Sequence, residues 1–170
     1  MVGAGTSAIM NPKAHGMTEI DADTQGWHKR FAMNSNNLAW ALSVQPRTPA
    51  QDREMLDAAH ASAFHWGQIG TELHRMRATT LLAEVHALLG DGKLALSLAK
   101  SMRDYFLTAR ETPDWEIALV HAIHAHAAWV AGQSDLHRSA YAQAVTAIAA
   151  IAAEEDRRVV VATFMHVPPP

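Results

Sequence analysis

From Thr24 to Asp156 the apolar residues recur at intervals of three and four, and nowhere in that span do they alternate as in a half-buried strand. That periodicity restricts the chain to helices, and helix-stopping residues divide it into about six. Pro46 and Pro49 end a first helix marked by Trp27, Phe31, Leu38 and Leu42. Thr48-Pro49 reads as an N-cap followed by proline at the first helical position, with Asp52 and Glu54 in the acid-favouring first turn. The helix it opens carries Met55, Ala59, Ala63 and Trp66 and stops at Gly67 or Gly70. Thr71 caps a third, through Leu73, Leu81, Leu82, Val85 and Leu89, broken by Gly90-Asp91-Gly92. A fourth follows through Leu94, Leu98, Met102 and Phe106, and Thr112-Pro113 opens a fifth through Trp115, Leu119, Ala122 and Trp129 that Gly132 closes. Ser134 or Asp135 caps a sixth, through Leu136, Tyr141, Val145, Ile148 and Ile151 to Glu154, Glu155 and Asp156, which reads as a solvated helix end.

The expected fold class is all-α, with antiparallel helix pairs spanning residues 23–156. Residues 1–22, rich in Gly, Ser, Thr and Asn, read as a mobile arm; their VGAGTS lacks the full glycine fingerprint of a dinucleotide loop and no apolar strand precedes it. Residues 157–170 read as a C-terminal extension, with β-branched Val159 to Val167 lying against the last helix or loose, and a strand added to a partner's edge as the lesser alternative.

Composition narrows the function classes. Cysteine is absent, which removes disulfide scaffolds, cysteine-based zinc fingers and thiol nucleophiles. The net charge is -3, and the 14 basic residues form no run, so a nucleic-acid-binding face is not expected. The longest apolar stretch, Ile117 to Gly132, is short for a membrane span and contains His121, His124 and His126. With no export signal at the N-terminus, the expectation is a cytoplasmic protein without membrane association. Alanine, at 33 residues, is the main apolar residue, which suits closely packed helices.

A degenerate repeat underlies the helices. Aligning Gly90 with Gly132 places Leu94 on Leu136, Ala83 on Ala125, Ser97 on Ser139, Leu82 on His124 and Met102 on Ala144. Leu82-Ala83, Leu88-Leu89-Gly90-Asp91 and Ala95 resemble one unit of the tetratricopeptide repeat family; Ala125, Gly132, Tyr141 and Ala144 resemble another, and Leu38-Ala39, Leu42, Met55 and Ala58 a third. The spacing exceeds that family's length of about 34 residues, His137 stands where a small residue is expected, and the middle unit lacks the first-helix aromatic. The span around AAHASAFHWGQIGT also resembles bacterial helical proteins of unassigned function.

The tetratricopeptide resemblance implies a non-enzymatic module that binds a protein or peptide segment on a concave face lined by the first helix of each pair, a face that could also serve self-association. Carried over by position, that face presents Asn36 and Trp40, then Arg77, Thr80 and Glu84, then Leu119, His126 and Trp129. Some members hold a partner's terminal carboxylate with a Lys, Asn and Arg cluster; here only Asn36 and Arg77 are available, so that specificity is not implied.

The histidines supply the alternative, a metal-dependent or small-molecule-binding helical protein. His121 and His124 share a helical face, whereas His126 is turned about 140° from His121. A divalent metal would need a third ligand from Glu84, His86 or His60 on other helices. Against it, no H-E-x-x-H occurs, and buried histidines bonded to backbone or water are the commoner use of such residues. His60 and His65 point apart, and His65, near a helix C-terminus, is expected to protonate more readily than usual. Trp27, Trp66 and Trp115 fit the core; Trp40 and Trp129 fit either core or groove. No catalytic triad, phosphate loop or close carboxylate pair stands out, so no catalytic residue and no cofactor are assigned.

Overall fold

The computed structural model describes residues 21–170, so the expected arm lies outside the described residues except for Asp21 and Ala22. Seven helices and no strand occur among them: α1 (Ala22–Ser43), α2 (Pro49–Ile69), α3 (Glu72–Leu88), α4 (Gly92–Thr108), α5 (Asp114–Val130), α6 (Ser134–Ala150) and α7 (Glu154–Phe164). None is long and apolar enough to cross a membrane.

The helix starts follow the local chemistry. The Asp21 carboxylate accepts from the Thr24 N–H at 2.8 Å, opening α1 two residues ahead of the expected start. At α2, Thr48 and Gln51 form a reciprocal capping box ahead of Pro49. The two glycines aligned by the repeat end helices in the same way. Gly90 and Gly132 have φ of +83° and +69°, and each is followed by a residue whose N–H reaches back to the preceding helix, Asp91 to the His86 carbonyl and Gln133 to the Ala128 carbonyl, both at 2.9 Å. These are paired Schellman turns, where glycine carries the left-handed conformation without a Cβ penalty.

Short connections make consecutive helices antiparallel neighbours, and contacts also join α1 to α3, α3 to α5 and α5 to α7. The odd-numbered helices therefore lie in a row and run in one direction. Such seven-helix packing is compatible with a helical repeat array. Helix α5 packs against α3, α4, α6 and α7, which explains why Ala122 to Ala128 are buried without interruption. Alanine occupies the close crossings: Ala83, Ala87, Ala95, Ala99, Ala118 and Ala127 join Met102, Phe106, Val120 and Ile123 in the main core. A second cluster joins Ala39 and Leu42 of α1 to Met55, Ala58 and Ala59 of α2 and Leu81 and Val85 of α3.

Two expectations are corrected. In α1 the buried stripe is Ala32, Ala39 and Leu42, while Phe31 and Leu38 face solvent and Trp27, expected in the core, is 55% exposed. Alanine lets α1 approach α2 closely, and the larger residues are turned away. The sixth helix also stops at Ala150 rather than reaching the acidic cluster. Residues Ile151 to Ala153 form a break, and Glu154, Glu155 and Asp156 begin α7, where acids favour the positive end of the helix dipole. The break is pinned by Ile151 in the core and by the Ala152 N–H donating to Asp114 at 2.9 Å. The segment expected to lie against the last helix or to hang loose packs on α5 and α6, as an α-helix as far as Phe164, with Val160 and Thr163 buried. Tertiary burial outweighs the modest helix penalty of its β-branched valines.

Gly92 tests the close approach of α4 to α5. A Cβ there would stand 2.5 Å from the Val130 carbonyl oxygen and 2.6 Å from the Ala131 nitrogen, both backbone atoms. Gly92→Ala is expected to cost about 1–3 kcal/mol in urea unfolding. Gly67→Ala, in open space within α2, is expected to add about 0.5–1 kcal/mol.

Candidate functional site

All four odd-numbered helices contribute to one groove of about 260 Å³. Asn36 and Trp40 come from α1, Arg77 and Thr80 from α3, Trp115, Glu116 and Leu119 from α5, and Val159 and Thr163 from α7. The i, i+3 and i, i+4 spacings within each helix put these side chains on its inner face. Trp40, Trp115, Leu119 and Val159 supply apolar surface; Thr80 is buried, with its hydroxyl donating to the Met76 carbonyl at 2.9 Å.

The polar centre is a bidentate ion pair between α3 and α5. Arg77 Nε donates to Glu116 Oε1 at 2.7 Å and Nη2 to Oε2 at 3.0 Å. Glu116 is buried, and the partly exposed guanidinium also sits 5.8 Å from the Trp115 ring centroid. The carboxylate holds Arg77 above the ordinary arginine range, more than burial opposes it. Two of the Arg77 nitrogens are taken by Glu116, and the third, Nη1, forms no hydrogen bond among the described residues.

Of the expected partner-binding residues, Asn36, Trp40, Arg77, Thr80 and Leu119 meet in this groove. Glu84, His126 and Trp129 lie further along the row. Glu84 Oε2 and His126 Nδ1 are 3.1 Å apart and both residues are buried, so positions 42 residues apart pair directly across α3 and α5. Trp129 stacks near His126, with ring centroids 6.3 Å apart, and remains 49% exposed. The positions carried over from the resemblance did not include Glu116, Val159 and Thr163; Trp115, expected as core, packs against the main core and also lines the groove. Trp115 and Glu116 stand four and three residues before Leu119, so the groove assignment of Leu119 already carried them.

The five residues considered for a metal do not converge. His60 lies edge-on to His86, with centroids 5.7 Å apart, and His86 Nδ1 is 3.6 Å from Asp91 Oδ2. Glu84 is turned to His126. His121 and His124 share a region with Arg103, whose positive charge adds to burial in lowering both imidazoles, His124 to about 4. No group of three or more His, Asp or Glu side chains able to hold a metal ion occurs among the described residues. His65 reverses its expectation: burial and the neighbouring His28, Nδ1 to Nδ1 at 2.8 Å, lower its proton affinity. Searches of family models, curated proteins and solved structures find no match to this chain.

Proposed function

We propose that the chain is a non-enzymatic interaction module of tetratricopeptide-like architecture, and that a partner segment binds along the row of odd-numbered helices. The observation that carries this reading is the groove to which all four of those helices contribute, with two tryptophans, Leu119 and Val159 beside Arg77 and Asn36. A partner would place an apolar side chain between the indoles and direct a carbonyl or carboxylate toward Arg77 Nη1 and the Asn36 amide. Indole-lined pockets with few polar groups concentrate binding energy in this way.

The test is selection from a displayed peptide library on the full chain, repeated on Val159→Lys. Val159 is 64% exposed, so the substitution alters the groove edge without opening the core. A consensus with an apolar anchor is expected, with affinity falling at least about tenfold on Val159→Lys, which corresponds to about 1.4 kcal/mol. No enriched consensus, or peptides indifferent to the substitution, would contradict the reading.

A further inference from the structure

A second groove, of about 610 Å³, lies at one end of the row. Because the odd-numbered helices run in one direction, the C-termini of α3, α5 and α7 gather there: Leu88 and Gly90 mark the first, Trp129 and Val130 the second, and His166 follows the third. Each helix end contributes partial negative charge. No Lys or Arg lines the groove; Arg138 lines the neighbouring depression across Trp129 and is turned to Asp135 at 3.3 Å.

A buried acid stands behind this surface. Glu84 is 0% exposed, with Oε2 on His126 Nδ1 and Oε1 without any hydrogen-bond partner. His126 lines the groove, and with Nδ1 on Glu84 its Nε2 is the ring nitrogen left to meet a ligand. Trp129, half exposed, stacks near the same imidazole. A carboxylate sealed from water and only half satisfied is costly in a folded protein, and a cation in the adjoining groove would offset that cost.

We propose that this groove binds an organic cation, a guanidinium or alkylammonium group. The cation lies over the Trp129 ring, donates to His126 Nε2 and is balanced by the Glu84 carboxylate and the three helix ends. The site is separate from the groove at Trp40, and its ligand need not be the partner segment bound there.

The test follows the Trp129 indole N–H by NMR in the full chain, titrated with agmatine, with N-acetyl-arginine methylamide and with the neutral N-acetyl-citrulline methylamide. Both guanidinium compounds are expected to move the signal saturably, and the citrulline compound at least about tenfold more weakly. Tighter binding of agmatine would assign the site to a free amine ligand, and tighter binding of the arginine derivative to a partner's side chain. Glu84→Gln is expected to weaken binding at least about fivefold. Both positions are buried, so His126→Gln supplies a second variant, with the same loss expected, and circular dichroism establishes that each is folded. An equal response to the citrulline compound, or undiminished binding in a folded variant, would overturn the proposal.

Discussion

Arg77→Met is expected to destabilise the protein by about 2–3 kcal/mol, and Arg77→Met with Glu116→Leu to recover most of that loss. Removing the guanidinium leaves Glu116, 3% exposed, as a buried carboxylate without its bidentate partner. Uncompensated buried charges of this kind cost about 3–5 kcal/mol, and the lower figure here allows for solvent at the partly exposed arginine. Removing both charges ends the penalty, since an apolar pair of similar volume suits the surrounding Trp115 and Leu119. Urea unfolding of the two single variants and the double variant measures the coupling. Equal, additive losses would mean that the pair contributes no mutual stabilisation and that Glu116 is kept by other contacts.

Acid sensitivity is the second large effect. Burial lowers His124 from 6.5 to about 4, with Arg103, His121 and Lys100 adding to the shift and Asp104 opposing it. The unfolded chain therefore binds a proton between pH 6.5 and 4 that the folded chain refuses, so stability falls as pH decreases through that window. The full shift is worth about 3 kcal/mol for this residue. His121, His86 and His65 are lowered as well and act in the same direction. His124→Leu removes the largest of these contributions. Between pH 7 and 4.5 the wild type is expected to lose at least about 2 kcal/mol more than the variant in urea unfolding. Parallel pH profiles would show that His124 protonates in the folded protein as readily as in the unfolded chain.

Helix positions were legible where the chain carries its own punctuation. Thr48-Pro49, Gly90 and Gly132 are stop and start signals with fixed backbone meaning, and the structure uses each as such. The 42-residue offset was legible too, and it pairs Glu84 with His126 in space. The face of α1 was not. Periodicity ranks Trp27, Phe31 and Leu38 above Ala32 and Ala39, but close helix approach selects the small residues and leaves the large ones outside. The break before α7 contains neither glycine nor proline, and its signal was the run Glu154 to Asp156, which suits the start of a helix better than the end. Missing α7 meant missing Val159 and Thr163, one wall of the groove. Whether the histidines converge was not legible for a different reason: sequence gives angles on one helix, whereas convergence depends on where α2, α3 and α5 place their side chains relative to one another.

The central claim, that partner segments bind along the odd-numbered helices, is tested most directly by the five indole N–H signals of the full chain as a library-selected peptide is added. The expected result is that the Trp40 and Trp115 signals shift together, in proportion to peptide bound, while Trp27, exposed on α1 away from the groove, stays unchanged. A peptide that binds and moves the Trp27 signal, leaving Trp40 and Trp115 in place, would contradict it.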